Sequence, residues 1–127
     1  GSTNQLLVKK LDLGKLYPSV ENFWINYQVD FSKKFTSIVV SYQKGEHELF
    51  TTLINFDHQY KIIDKLDIAY DEIAESAFQK ISIIHKDRIV VESWDYMNET
   101  PTKETSIYTL TDNGKFVKKE DKKSVAN

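Results

Sequence analysis

Cysteine is absent from the 127-residue chain. That excludes disulfides, thiolate metal sites and cysteine nucleophiles, and leaves the redox compartment open. Glycine is scarce, at 4 residues, and the glycines are not grouped, so a phosphate-cradling loop is missing. Charge of one sign is also missing: 17 basic side chains against 19 acidic ones give a net charge of −2, and no basic field exists for nucleic acid or anionic lipid. No apolar run approaches the roughly 20 residues of a membrane helix. What the chain does have is 40% hydrophobic and 13% aromatic residues, with 7 Phe and 7 Tyr against only 2 Pro. That composition predicts one β-rich domain able to bury about two-thirds of its extended surface.

The organising stretch is Leu49–Ala69. Two apolar runs, Leu49–Phe56 and Tyr60–Ile68, flank the polar break Asp57-His58-Gln59 and read as an antiparallel hairpin. Phe50, Ile54 and Phe56 alternate with Leu49 and Leu53, and Ile62, Leu66 and Ile68 are set against Ile63. Strands apolar on both faces belong in an interior, so this hairpin is expected to be central. Phe23, Ile25, Tyr27, Val29 and Phe31 recur at period two and predict a strand over 21–31, with a helix capped by Ser19 as the competing reading. Phe35–Gln43, Phe78–Ile84, Ile89–Tyr96 and Lys103–Thr111 complete the strand-like segments. Asp112-Asn113-Gly114 predicts a tight hairpin into a last short strand, Lys115–Lys118.

At the ends, Leu6–Leu16 reads as a short strand broken by Gly14, and Tyr70–Ala77 as a loop or single helical turn. Residues 1–5 are expected to be a loose lead, 6–119 the single β domain and 120–127 a flexible tail. Because the chain opens Gly-Ser without an initiator Met, its native start is expected upstream, where an export signal could have stood. The short connections demand antiparallel neighbours. The predicted fold is therefore an all-β up-and-down meander of about seven or eight strands with at most one short helix; sandwich, barrel and propeller-like sheet stay open.

Catalytic patterns are weak. Asp57-His58 with Asp64 nearby is the best start for a metal or acid–base site, yet His47 and His58 bracket one extended strand, roughly 30–35 Å apart. With His85 at another turn, an Asx-type turn and solvated imidazoles are the better reading, and no metal or cofactor is expected. Ser93 lacks a base and an orienting group, and the carboxylates Asp71, Glu72 and Glu75 sit in a polar loop. The chain is therefore expected not to be an enzyme. The candidate partner-binding residues are aromatic: Trp24, Tyr42, Trp94 and Tyr96 form an exposed platform if their face is uncovered, and core if it is covered.

Asn55-Phe56-Asp57, Lys61-Ile62-Ile63-Asp64 with Leu66, and Tyr108 followed by Asn113-Gly114-Lys115-Phe116 make a pattern with a likeness. It resembles that of small uncharacterised β-meander proteins of Bacteroidetes-type bacteria, often taken for lipoproteins. The resemblance spans roughly residues 35–118, and the chain departs from it at His58-Gln59-Tyr60, where a glycine-containing turn is usual. It implies an extracytoplasmic location, periplasmic or at the cell surface, with a lipid anchor upstream, and no activity. The resulting expectation is an envelope-associated binding or structural module whose partner is a protein or a glycan. The alternative is a small inhibitor or immunity-type protein that occludes a partner enzyme.

Overall fold

Period-two patterning becomes eight strands: β1 (Phe23–Val29), β2 (Thr36–Lys44), β3 (Glu48–Phe56), β4 (Ile62–Glu72), β5 (Phe78–Ile84), β6 (Ile89–Asp95), β7 (Thr102–Leu110) and β8 (Phe116–Val125). A computed structural model describes residues 2–72, 77–97 and 99–125. All eight strands lie in one sheet in sequence order, each antiparallel to the next, so β1 and β8 are its two edges. The meander and the β3–β4 hairpin stand as expected. The loop expected over 70–77 begins later, because Tyr70, Asp71 and Glu72 belong to β4; residues 73–76 lie outside the described residues.

The two ends of the chain depart from the sequence reading. Leu6–Leu16 is not a strand, and residues 2–5 are not a loose lead. Ser2–Lys10 forms a helix (α1) and Leu13–Leu16 a second short one (α2), joined at Asp12 in the left-handed region. The cause is spacing: Leu7, Val8 and Leu11 share one side of a helix and pack with Leu13 and Leu16 on Ile38, Val40, Ile54 and Phe56. The two helices thereby cover the apolar face of β2 and β3. At the other end, residues 120–125 are not a tail but continue β8 along β7. Their charges suit an edge strand, since Lys123 meets Glu104 at 3.6 Å and Asp121 accepts a hydrogen bond from Ser106 at 3.1 Å across the ladder.

The opposite faces of β2 and β3 carry Val39 and Leu53, which cluster with Ile68 of β4 and with Ile89 and Val91 of β6. Tyr108, Leu110 and Phe116 pack onto that cluster, so β6–β8 fold back over β2–β4. The bend falls between β4 and β5, which pair only at Tyr70↔Lys80 and Asp71↔Gln79. Most of that edge of β4 is thereby freed. Bulges change two facial assignments. Ile62 pairs with Phe56 and Leu66 with Leu53, so Ile62 and Leu66 lie on opposite faces rather than together. Tyr27 pairs with Val39 where Trp24 pairs with Ser41, which puts Tyr27 on the side of Trp24 after the shift at Asn26.

A clasp holds the fold-back in place. The buried Asn55 accepts a hydrogen bond from Ser37 Oγ at 2.6 Å and donates through Nδ2 to the Gly114 carbonyl at 2.9 Å. Asp64 accepts from the Phe116 N–H at 2.9 Å, and Lys115 Nζ donates to the Ile63 carbonyl at 3.0 Å. Gly114 has φ +91°, and a methyl group there would stand 3.2 Å from the Phe35 ring and 3.3 Å from Ile63 Cδ1. Gly114→Ala should therefore cost about 2 kcal/mol, read as a fall in the urea midpoint at unchanged m. Gly45→Ala, at φ +63° with open space around it, should cost only about 1 kcal/mol. Equal costs for the two would disprove the close approach.

Candidate functional site: an aromatic groove and a lysine-lined cleft

Strand alternation sets the aromatic residues in different places, so the four-residue platform does not form. Tyr42 is only 4% exposed and is corrected to core: Phe23 and Phe50 flank it on the sheet, and Tyr17 covers it at 4.4 Å between ring centroids. It sits on the same face as Val40 and Ile38, which α1 and α2 cover. Trp24, 49% exposed, stands on the edge strand β1 beside the Gln43–Glu46 turn. Trp94 and Tyr96, at the C-terminal end of β6, are the members the fold brings together, stacked at 6.0 Å with 8° between planes.

Trp94, on which Tyr96 stacks, lines a groove of about 480 Å³ together with Phe78, Asp95, Lys103, Glu104 and Val125. Lys103 faces Trp94 across the β6–β7 ladder, with Nζ 5.3 Å from the ring centroid. Phe78, Tyr96, Met97 and Val125 are all exposed apolar side chains in this part of the molecule. The groove therefore offers apolar surface with carboxylates and an ammonium at its rim.

A second concavity of about 520 Å³ follows the free edge of β4 and reaches the residues of β6–β8 opposite it. Tyr17, just after α2, closes it from one side and is 9% exposed. Its hydroxyl oxygen is buried and has no hydrogen-bond partner. The Tyr42 and Thr52 hydroxyls stand beside it without completing a bond of proper geometry. Burial raises the Tyr17 phenol above its ordinary value, more than those neighbouring hydroxyls lower it, so it stays protonated and remains a donor. Sequence reasoning missed Tyr17 because it falls between the strand-like segments 6–16 and 21–31 and belongs to neither pattern. Nothing in the linear pattern shows that β4 leaves β5 and exposes the space that Tyr17 overlooks.

The Asp57 turn is structural. Its Oδ1 accepts from the backbone N–H of Lys61 at 3.0 Å and of Gln59 at 2.8 Å, and these bonds, that of Lys61 foremost, hold the carboxyl below the usual carboxylate range. This is the Asx-type turn expected from the sequence. Tyr60 takes the left-handed conformation at φ 63° that Gly114 takes in the Thr111–Lys115 turn. Both turns carry the same pair of backbone bonds, Asp57–Lys61 and Asp57–Tyr60 in one, Thr111–Lys115 and Thr111–Gly114 in the other. Among the described residues, no three His, Asp or Glu side chains converge on a metal position, and no helix is long and apolar enough to cross a membrane.

Compared with family models, curated proteins and solved structures, the chain matches none.

Proposed function

We propose that the chain is a non-enzymatic binding module of the bacterial cell envelope, which holds a protein segment or a glycan in the groove lined by Trp94. The observation that carries this reading is the stacked, partly exposed Trp94–Tyr96 pair beside a groove of about 480 Å³. Tryptophan and tyrosine deliver large contact area at small entropic cost, and such residues dominate binding surfaces. The envelope location rests on the resemblance carried by Asn55–Leu66 and Tyr108–Phe116. The non-enzymatic reading rests on the sequence, in which Ser93 has no base and orienting group arranged as in a catalytic triad.

In a Trp24→Phe background Trp94 is the single tryptophan, and its emission reports the groove. Titration with solubilised envelope glycan fragments, or with extended peptides, is expected to shift that emission to the blue in a saturable way. Tyr96→Ala should weaken the response by about tenfold, a loss of about 1.4 kcal/mol, while the melting temperature stays nearly unchanged. No shift with either class of probe would refute the groove as a binding site.

A second reading, an inhibitor or immunity-type protein that captures a partner enzyme by strand addition, is favoured by β1. This edge strand, FWINYQV, has no charged side chain, which leaves its free ladder groups open to another strand. A partner lost with Asn26→Lys but kept with Trp94→Ala would select this reading over the first.

A further inference from the structure

We propose that the cleft along the free edge of β4 binds a small anion carrying two or more carboxylate or phosphate groups, with the Tyr17 hydroxyl as its buried donor. This site is separate from the aromatic groove and does not rest on it. Tyr17 is more than nine-tenths buried, and its hydroxyl has no partner within the protein. A buried donor left unpaired is costly, and folded proteins rarely keep one unless something else completes it. The residue lines a concavity of about 520 Å³, the size of a small-molecule site.

Charge decides what that something is. Lys44, Lys65, Lys80 and Lys118 line the cleft against Asp67 and Glu104. Glu104 is paired with Lys123 at 3.6 Å and Asp67 accepts from the Thr52 hydroxyl at 2.8 Å, so the four lysines outnumber the two carboxylates. Lys118 leans on Asp121 at 3.7 Å, but Lys44, Lys65 and Lys80 meet no carboxylate within 4 Å among the described residues. Lys65 Nζ lies 4.8 Å from the Tyr17 ring centroid, so a cation and the unpaired hydroxyl share one neighbourhood. A phenol that keeps its proton, beside lysines in excess, suits an acceptor with negative charge. More than one oxyanionic group is implied because the lysines come from β2, β4, β5 and β8, on both sides of the cleft.

Isothermal titration calorimetry of the full chain at low salt, with citrate, pyrophosphate and neutral sorbitol as probes, tests this. The expected result is one-to-one binding of citrate or pyrophosphate and none of sorbitol. The tighter of the two anions assigns the group as carboxylate or phosphate. Tyr17→Phe and, independently, Lys65→Met should each weaken binding by about tenfold or more. Tyr17→Phe should also melt at the same temperature as the parent or higher, because it removes a hydroxyl that has no partner. Three results would overturn the proposal: no heat from either anion at about 10 mM, anion affinity unchanged in both variants, or sorbitol binding as well as the anions do. A marked fall in melting temperature for Tyr17→Phe would overturn it too, since the hydroxyl would then have a partner in the protein.

Discussion

Leu13→Ala is expected to lower the unfolding free energy by about 3 kcal/mol, within the usual 2–5 kcal/mol range for a buried leucine. Leu13 is fully buried although α2 has only 4 residues. Its side chain belongs to the cluster that joins the helical segment to Ile38, Val40, Ile54 and Phe56. If that cluster is part of one cooperative unit, the urea midpoint falls while m and the single transition are kept. Suppose instead the helices detach on their own: helical circular dichroism would drop first, and the strand transition would stay where it was. That second outcome would show the helical segment to be an accessory.

Asn55→Ala should cost a comparable amount, about 3 kcal/mol, with a fall in melting temperature of about 10 °C. The loss comes less from the two bonds than from what they leave behind. Ser37 Oγ would lose its acceptor and the Gly114 carbonyl its donor, both where the fold buries them. The effect should be non-additive: in the Asn55→Ala background, Ser37→Ala should add far less than it costs alone, because its hydroxyl has already lost its partner. A cost for Asn55→Ala below about 1 kcal/mol would mean the clasp does not hold β7–β8 on β3 and β4.

Much of this fold is legible one strand at a time. The alternation of Phe50, Ile54 and Phe56 with Leu49 and Leu53 matches the two faces of β3, and the Asn113-Gly114 signal falls at a real turn. Legibility fails where the deciding partner is distant in sequence. Leu6–Leu16 offers an ambiguous apolar pattern, and only the uncovered face of β2 and β3 turns it into helix. Residues 120–125 look like a solvated tail because their lysines have no use until Glu104 and Ser106 lie opposite. Bulges beside Asn26 and Asn55 move side chains across the sheet without a proline or glycine to announce them.

The candidate site was legible only in part. Trp94 and Tyr96, two positions apart where β6 ends, are readable as a pair from period two alone, and the fold stacks them. Tyr42 follows the same rule of alternation, but it is covered by Tyr17, which lies 25 positions earlier in the chain. Tyr17 itself gains meaning from an edge that β5 abandons after two residue pairs. That departure is a property of the whole sheet, and no local spacing encodes it.

The two rims of the sheet are not alike. One, β8, carries Lys118, Lys119, Lys122 and Lys123 with Glu120 and Asp121 between them; the other, β1, carries no ionic side chain. Two copies that met through β8 would bring four lysines and two carboxylates of one against the same set of the other, so β8-to-β8 pairing is disfavoured and a new strand is better received at β1. Two copies joined through their neutral rims would present the ionic strand β8 at both outer ends, where a third copy approaching with its own β8 meets like charge.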